Sequence, residues 1–208
     1  MLRPKQANQT RALKTQDRIL SAARSLHAAG GAEACAMRAV AERAGITPGA
    51  IYRHFDDKEA LVARVVELAF QHFERFLLDS IVSQPVGSFA RIAALGEAYI
   101  GFARDNEEEF KILFNPLVAS RKKLHEIPGQ AGYPIMLRCI EEAIDAGVVR
   151  KTDPRLVAFY LWSRVHGIVM LLLACDLDDV LELDGETTAL NLFELTRCFV
   201  IDGLKPDE

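Results

Sequence analysis

The stretch from Ala44 to Leu61, AGITPGAIYRHFDDKEAL, constrains the fold of this chain more than any other segment. Gly45 can end one helix in the left-handed conformation, which other residues adopt only at a cost. Thr47 can cap the next helix through its hydroxyl, and Pro48 suits the first helical position because no helix uses the amide hydrogen missing there. The stretch therefore predicts two short helices joined by a tight turn, a helix-turn-helix arrangement.

The periodicity of the whole chain predicts an all-α fold. Apolar residues recur at intervals close to 3.6, and the alternating β-branched runs that would indicate strands are missing. Residues 1–14 are polar and predict a flexible arm. The predicted helices that follow are 15–29, capped by Thr15 and ended by Gly30 and Gly31, then 37–44, 48–55, and a longer helix from a capping box of Asp56 and Glu59 to about Ile81.

The remainder predicts a larger helical domain, so we assign residues 15–58 to the helix-turn-helix domain and residues 59–208 to a helical body. The acidic run DNEEEF opens a short helix, because acidic residues suit the positive end of the helix dipole. Residues 119–132 predict a loop. The other predicted helices are 88–104, 134–146 ended by Gly147, 154–175 after Asp153, and a last helix from Thr187 or Thr188.

Charge is distributed unevenly along the 208 residues. The formal net charge is -4, but residues 1–55 carry nine Lys or Arg against three Asp or Glu, and the remainder carries sixteen against twenty-six. The first part therefore has a net charge of +6 and the second of -10. A basic segment joined to an acidic remainder is typical of a polyanion-binding head on a body with another role. The alternative interpretation is a chance fluctuation in charge.

Cysteine spacing and hydropathy limit the other classes. The four cysteines are 104, 36 and 23 positions apart, which fits neither a metal motif nor a disulfide-rich domain, so we interpret them as small buried hydrophobic residues. The polar N-terminus lacks the apolar segment of a secretory signal, and the longest apolar stretch has eleven residues, whereas a bilayer requires about 20. These features predict a cytoplasmic chain with no cofactor, metal or membrane partner. The cysteines are Cys35, Cys139, Cys175 and Cys198.

The helix that follows Thr47 separates a core face from an outer face. Ile51 and Phe55 are four positions apart and are expected to face the core. Gly49 and Ala50, which have no side chain or a small one, would let a groove of DNA approach the backbone closely at the start of the helix. The alternative is an ordinary short amphipathic helix. The polar-tipped residues expected to face outward are Tyr52, Arg53 and His54.

The segment MRAVAERAGITPGAIYRHFDDKEALV, residues 37–62, resembles the N-terminal motif of the tetracycline-repressor (TetR) family of bacterial transcription regulators. The resemblance implies a homodimer whose heads enter successive major grooves of a palindromic operator in double-stranded DNA, most commonly as a repressor. Ala36 stands where the family commonly has a capping Thr, so that cap and its phosphate contact are expected to be lost. The implied phosphate-binding residues are Arg38, Thr47, Tyr52, His54 and Lys58, and those implied at base edges are Pro48, Gly49, Ala50 and Arg53.

The resemblance also implies a dimer interface and a site for a small-molecule effector, whose binding would change the separation of the two heads. The last two helices are apolar over more than one face, which suits a four-helix bundle with a second subunit. The sequence WSRVHG, residues 162–167, resembles a Trp-x-x-x-His-Gly signature of one subgroup, although a structural role for His166 and Gly167 is the simpler explanation. Aromatic residues at helical spacing are more often core than pocket. The residues predicted to line a pocket for a hydrophobic effector are Tyr99, Phe102, Phe110, Phe114, Met136, Trp162 and His166.

Two other functional classes are alternatives to a DNA-binding regulator. The sequence has no nucleophile elbow, HExxH motif, glycine-rich phosphate loop or paired His-carboxylate spacing, so it is predicted not to be an enzyme. A helical adaptor that binds acidic proteins through its basic head is the second alternative. Selection of palindromic DNA from a random pool would distinguish a regulator from an adaptor.

Overall fold

All regular structure in the described residues is helical, which confirms the predicted all-α class. The structure, a computed structural model, describes residues 4–114, 132–174, 193–194 and 200–206. Except for Gly132, which begins α7, the predicted loop at 119–132 lies outside these residues, as does most of the predicted last helix. The elements are α1 (Pro4–Gly30), a 3₁₀ turn (Ala32–Ala34), α2 (Met37–Arg43), α3 (Pro48–Ile51), α4 (Lys58–Ile81), α5 (Phe89–Asp105), α6 (Glu107–Phe114), α7 (Gly132–Asp145) and α8 (Pro154–Ala174).

The chain forms two compact units. The first consists of Met1–Gln71 and Asn106–Pro128, and the second of His72–Asp105 and Gly129–Glu208. Within the first unit, Arg24 of α1 forms ion pairs with Glu108 at 3.4 Å and Glu109 at 3.0 Å. These ion pairs join α6 to α1, whereas the sequence analysis grouped α6 with the body.

The first helix begins eleven residues earlier than predicted. α1 starts at Pro4, so residues 4–14 are helical; the expectation of a flexible arm is wrong for them, and Thr15 lies inside the helix rather than capping it. Between Pro4 and Gly30 the sequence has no glycine or proline and is rich in Ala, Leu, Gln, Arg and Lys, all good helix formers. Proline at the start and glycine at the end of a helix are the usual arrangement. The polarity that suggested an arm therefore does not prevent helix formation.

The turn after α2 is the left-handed helix end that the sequence predicts. Gly45 has φ +64°, and its amide donates to the carbonyl oxygen of Glu42 at 3.0 Å. The amide of Ile46 donates to the carbonyl oxygen of Ala41, also at 3.0 Å, which completes a Schellman motif. The guanidinium Nη2 of Arg18 also donates to the carbonyl oxygens of Ala44 and Gly45. The turn is thus held both by hydrogen bonds of its own backbone and by Arg18 of α1.

The third helix is shorter than predicted. α3 ends at Ile51 rather than near Phe55, because the amides of Arg53 and His54 donate to carbonyls three residues back and tighten the backbone into a turn. Ile51 is 0% exposed and Phe55 is 7% exposed, as the core-face prediction requires. Thr47 is the residue that precedes the helix, but its side chain makes no capping hydrogen bond, so that part of the prediction is wrong.

The fourth helix begins one position later than predicted. Asp57, rather than Asp56, is the cap: its Oδ1 accepts a hydrogen bond from the amide of Ala60 at 2.7 Å. Glu59 therefore lies at the second helical position and cannot complete the predicted capping box. The predicted end at Ile81 is correct.

The second unit is built around aromatic residues of α4 and α5. The ring of Phe73 lies 4.9 Å from that of Phe102 and 5.6 Å from that of Tyr99, in edge-to-face arrangements typical of protein cores. Ser88 caps α5 by accepting a hydrogen bond from the amide of Arg91 at 3.2 Å. The side chain of Arg91 in turn donates to the carbonyl oxygen of Ile81 at 3.2 Å, at the end of α4.

The two cysteines in the described residues are buried and free, in agreement with the sequence analysis. Cys35, just before α2, is 0% exposed, and its thiol donates to the carbonyl oxygen of Ala23 at 3.4 Å. Burial raises the pKa of the Cys35 thiol, although the nearby cation of Lys58 acts in the opposite direction. Burial likewise raises the pKa of Cys139 in α7.

Replacement of Gly45 by alanine tests the strain in the helix-turn-helix. An alanine at φ +64° costs about 1–2 kcal/mol, and its Cβ would lie 2.9 Å from Nη2 of Arg18. We expect Gly45→Ala to lower the free energy of unfolding, measured by urea denaturation, by at least about 1 kcal/mol. Gly49→Ala is the matched control, because open space surrounds Gly49, and it should change stability little or raise it. Equal stability of the two variants would contradict this account of the turn.

Candidate nucleic-acid interface

The start of α3 presents an exposed edge of backbone and small side chains. Thr47, Pro48 and Gly49 are exposed, and a Cβ at Gly49 would meet no atom within 4 Å. Ala50, which the resemblance also assigns to a base edge, is instead buried at 9% exposure. A groove of nucleic acid can therefore approach the backbone closely at Thr47, Pro48 and Gly49 but not at Ala50. Arg53, the remaining residue assigned to base edges, is also exposed.

The side chains assigned to DNA after α3 point away from the core, as predicted. Tyr52 is 56% exposed, Arg53 is exposed and His54 is half-buried. Arg38, at the second position of α2, is exposed as well. Within the part of the chain that the structure describes, neither arginine has a hydrogen bond or an ion pair. Their charges are therefore available to a polyanion.

Lys58 differs from the other cations of this surface because an ion pair holds it. Its Nζ lies 2.9 Å from Oε2 of Glu33, which follows α1 in the 3₁₀ turn. The Lys58 side chain is 26% exposed and that of Glu33 is 93% exposed. A phosphate can bind Lys58 only by sharing it with, or displacing, this carboxylate. Glu33 could not be predicted from the sequence, because nothing in the sequence relates positions 33 and 58.

Arg18 is a second residue that the sequence analysis missed. Its hydrogen bonds to the Ala44 and Gly45 carbonyls place a cation at the C-terminal end of α2, where the helix dipole is negative. The family pattern assigns Arg18 no contact with DNA, and its hydrogen bonds hold the turn that precedes α3. It is therefore a positioning residue.

The loss of a side-chain cap on α2 agrees with the expected departure at Ala36. Ala36 precedes the helix with φ -56° and ψ 132°, and it makes no side-chain hydrogen bond. Its carbonyl oxygen accepts a hydrogen bond from the amide of Val40 at 3.0 Å, so the start of the helix is stabilised by a backbone hydrogen bond and not by a side-chain cap. The N-terminus of α2 consequently lacks the hydroxyl that the family pattern commonly supplies.

Four of the residues predicted to line an effector pocket lie in one aromatic cluster of the second unit, comprising Phe73, Tyr99, Phe102, Trp162 and His166. Nδ1 of His166 lies 2.8 Å from the hydroxyl oxygen of Tyr99, and the rings of Trp162 and His166 are 6.0 Å apart. Phe102 joins them through Phe73. The shared face of Trp162 and His166 that their four-residue spacing predicted is therefore present.

The polar atoms of this cluster are held in their neutral forms. Burial raises the pKa of Tyr99 far above its usual range, and a hydrogen bond with Trp162 opposes that shift. Burial lowers the pKa of His166. At neutral pH the uncharged form of His166 is therefore favoured, and its Nδ1 shares a hydrogen bond with the neutral Tyr99 hydroxyl. The cluster can offer hydrogen bonds within apolar surroundings but no charge.

The other three predicted pocket residues lie elsewhere. Met136 lines a separate cavity of about 30 Å³ in the second unit, together with Arg164 and Phe193. This volume is close to that of one water molecule and far below the roughly 300 Å³ or more of a typical ligand site. Phe110 and Phe114, with ring centroids 4.6 Å apart in α6, belong to the first unit. The seven residues therefore do not form one cavity in the described part of the chain.

An all-α fold with an exposed helix-turn-helix, whose Arg38 and Arg53 have no ion-pair partner among the described residues, has the organisation of a helix-turn-helix transcriptional regulator. Family comparison agrees: residues 19–65 match the model of bacterial regulatory proteins of the tetR family, and residues 92–194 match that of a tetracyclin repressor-like C-terminal domain. The chain belongs to the TetR family, which consists of transcriptional regulators rather than enzymes.

The individual relatives either match only part of this chain or have a low sequence identity to it. The chain is 33% identical over 102 residues to the HTH-type transcriptional regulator UidR of Escherichia coli K12, over 43% of this chain and 52% of UidR. It is 44% identical over 70 residues to the HTH-type transcriptional repressor KstR of Rhodococcus jostii, over 34% of this chain and 31% of KstR. The chain thus spans about half or less of the length of these relatives. A crystal structure of AibR with isovaleryl coenzyme A and operator DNA has a TM-score of 0.67 and 19% identity, over 87% of this chain and 97% of AibR, which shows a common fold.

Replacement of Glu33 tests whether its carboxylate competes with DNA for Lys58. We expect Glu33→Gln to raise DNA affinity, because the variant leaves Lys58 without a competing carboxylate. Exposed ion pairs are worth less than about 1 kcal/mol, so the gain should stay below about fivefold per head, measured by fluorescence anisotropy.

Two controls separate this effect from a general loss of negative charge. Glu42→Gln removes the same charge from an exposed position of α2 and should change affinity less. In a Lys58→Gln background, Glu33→Gln should give no gain. An equal gain with or without Lys58 would show that the carboxylate acts only through the overall charge.

Proposed function

We propose that this chain is a transcriptional repressor of the bacterial cytoplasm that binds a palindromic operator as a homodimer and releases it when a small hydrophobic effector binds. The observation that carries this proposal is the exposed edge of α3 beside Arg38 and Arg53, two exposed cations without an ion-pair partner in the described residues. The repressor assignment follows the commonest mode of the family, and KstR is a transcriptional repressor.

In this proposal the two kinds of DNA contact have different roles. Arg53 makes a bidentate contact with a guanine, and the exposed backbone of Pro48 and Gly49 approaches the base edges. Phosphate contacts fix the position of the head on the duplex and make binding sensitive to salt. Ala50 contributes through its small size, which lets α3 pack closely, because it is buried. The phosphate contacts come from Arg38, Thr47, Tyr52, His54 and Lys58.

An exposed apolar stripe on α8 supports the homodimer. Leu156, Tyr160 and Leu171 are 70%, 55% and 55% exposed, and they share one helix face with the exposed small residues Ser163 and Gly167. Apolar side chains exposed in a row mark an interaction surface, and small residues between them let another helix approach closely. We therefore place the interface with a second copy on α8 and the last helix.

α8 also meets the length and hydropathy criteria of a membrane-spanning helix. The mean hydropathy of its most apolar segment is 1.8, and 28% of that segment is buried. Length and composition alone are weak evidence, because helices of soluble cores and interfaces meet them as well. A second subunit on the exposed face would account for the same apolar surface. Since the family consists of DNA-binding regulators, we assign this surface to dimerisation and not to a membrane.

The aromatic cluster supports an apolar effector with at least one hydrogen-bonding group. Its rings provide the apolar wall, and the neutral pair of Tyr99 and His166 provides the polar atoms that orient a ligand. An effector would have to displace rings that now pack against each other. Binding would therefore favour a second arrangement of the core, and DNA affinity falls if that arrangement holds the two heads at the wrong separation.

Selection of bound DNA from random sequence, with the wild type and two variants, tests the proposed contacts. We expect the wild type to select a palindrome. Arg53→Ala should relax the preference at one base pair per half-site, at a cost of about 1–3 kcal/mol per contact, whereas Lys58→Ala should weaken binding to all sequences alike. An unchanged sequence preference in the Arg53 variant would contradict the base contact, and selection of no palindrome would contradict the proposed function.

Introduction of a charge on α8 tests the dimer. We expect Tyr160→Glu to make the chain monomeric in sedimentation equilibrium at micromolar concentration, because a carboxylate would be buried between subunits. Operator affinity should fall about 100-fold or more, since two linked heads no longer act together. Val82→Glu is the matched control, because Val82 is 79% exposed just after α4, outside the α8 stripe. A dimeric Tyr160→Glu variant would rule out this face as the interface.

A further inference from the structure

We propose that the effector occupies the place of the Trp162 side chain, and that it is an uncharged ring compound with a hydrogen-bond donor. The donor of the effector replaces the indole N–H of Trp162 at the hydroxyl oxygen of Tyr99, and the indole moves outward. This inference rests on the proposed function, because it gives the position and the chemical class of the effector proposed there.

Trp162 lies at the open end of the aromatic cluster. The rings of Phe73, Tyr99 and Phe102 are 0%, 5% and 0% exposed, whereas Trp162 and His166 are half-buried. Displacement of a fully buried ring would forfeit all of its packing contacts and leave a void. Displacement of a half-buried ring forfeits only part of them. A ligand therefore enters the cluster with the smallest loss of packing at one of the two half-buried rings.

Hydrogen bonding decides between these two rings. The hydroxyl of Tyr99 lies 2.8 Å from Nδ1 of His166 and has a further hydrogen bond with Trp162. The indole has one polar group, an N–H that only donates, so Trp162 donates and Tyr99 accepts. An indole that moves outward can donate to water, and the Tyr99 oxygen can accept from the ligand instead, so that neither group is left unsatisfied. Trp162 also vacates two fused rings of space, whereas His166 would vacate one ring.

The helix register of α8 leaves one direction open to the displaced indole. Leu161 and Val165, on the buried face, are 4% and 3% exposed, so no room exists on that side. Phe159, whose ring centroid lies 6.1 Å from that of Trp162, is 54% exposed. At about 100° per residue, Phe159 lies about 60° from Trp162 and about 40° from Ser163 of the exposed apolar stripe. The indole can therefore move toward the side on which we place the dimer interface.

The groups left behind define the class of ligand. His166, whose ring centroid is 6.0 Å from that of Trp162, and Tyr99 are both uncharged at neutral pH, because burial lowers the pKa of the first and raises that of the second. No member of the cluster carries a charge, so a buried carboxylate or ammonium group would have no partner there, which is costly. A ligand without a donor would leave the buried Tyr99 oxygen with one partner fewer. An uncharged ring with a hydroxyl or N–H group satisfies both conditions.

Binding of indole to a Trp162→Ala variant tests the vacated place. We expect the variant to bind indole, measured by isothermal titration calorimetry, because the probe restores both the missing rings and the missing N–H. The wild type should bind indole at least about tenfold more weakly, because its own side chain must leave first. Trp162→Val, which keeps more of the apolar contacts, should also bind indole more tightly than the wild type does. Circular dichroism verifies that each variant is folded.

A second probe and a second substitution isolate the hydrogen bond to Tyr99. Benzothiophene has the two-ring shape of indole but no N–H. Adding Tyr99→Phe to Trp162→Ala should lower the ratio of indole affinity to benzothiophene affinity about five- to tenfold, because the acceptor is gone. The ratio cancels the different hydrophobicities of the two probes. Phe159→Ala is the matched control: it removes a ring from the same helix but leaves Trp162 in place, and it should bind indole no better than the wild type does.

The wild type tests the displacement itself, because Trp162 is the only tryptophan of the chain. The probes are phenol, an uncharged ring with a donor, and benzoate, the same ring with a charge. We expect phenol to shift the emission of Trp162 to longer wavelength, with excitation where phenol does not absorb, because the indole enters water. Phenol should also lower affinity for the palindrome that the wild type selects. Benzoate at the same concentration should do neither.

The outcomes distinguish this proposal from the proposed function. A wild type that selects no palindrome would overturn the proposed function, whereas the calorimetry requires no DNA and would still locate the ligand. An affinity ratio unchanged by Tyr99→Phe, equal binding of indole to Phe159→Ala and Trp162→Ala, or no shift of emission with phenol would overturn the placement at Trp162. Equal effects of benzoate and phenol would overturn the ligand class. A shift of emission with unchanged operator affinity would overturn the role of this place as the effector site.

Discussion

The hydrogen bonds from Arg18 to the carbonyl oxygens of Ala44 and Gly45 connect α1 to the turn that positions α3. A helix of four residues has no stability of its own in water, because formation of the first helical turn costs more than one hydrogen bond returns. The position of α3 must therefore come from its surroundings, namely this turn and the burial of Ile51 and Phe55. The exposure of Arg53 and of the backbone at Gly49 follows from that position.

The sequence predicted well those features that depend on local backbone chemistry. The left-handed turns at Gly45 and Gly147 and the end of α4 are all where the residue types indicate. The errors occur where two local solutions have similar energies. Adjacent Asp56 and Asp57 can each cap a helix, and a polar segment before Thr15 can be either an arm or a helix. The sequence alone offers no means of choosing between the two aspartates, whereas for residues 4–14 the helix-forming residue types outweigh the polarity that suggested an arm.

Part of the candidate site could not be predicted because it depends on contacts between residues far apart in the sequence. Glu33 and Lys58 are 25 positions apart and Arg18 and Ala44 are 26 apart, and neither pair lies on a common helix. The burial of Ala50 is similar, because it depends on how α3 packs and not on its own residue type. The residues predicted to line a pocket are buried or half-buried, but their division between two units is a property of the tertiary structure alone.

Cys35 gives this domain an internal reporter. Its thiol is completely enclosed next to α2, and its raised pKa leaves little thiolate, the form that reacts with alkylating reagents. Modification of Cys35 therefore requires the helices around it to separate. The rate at which a maleimide labels this sulfur measures how often the DNA-binding head opens, and DNA that stabilises the closed head slows that rate.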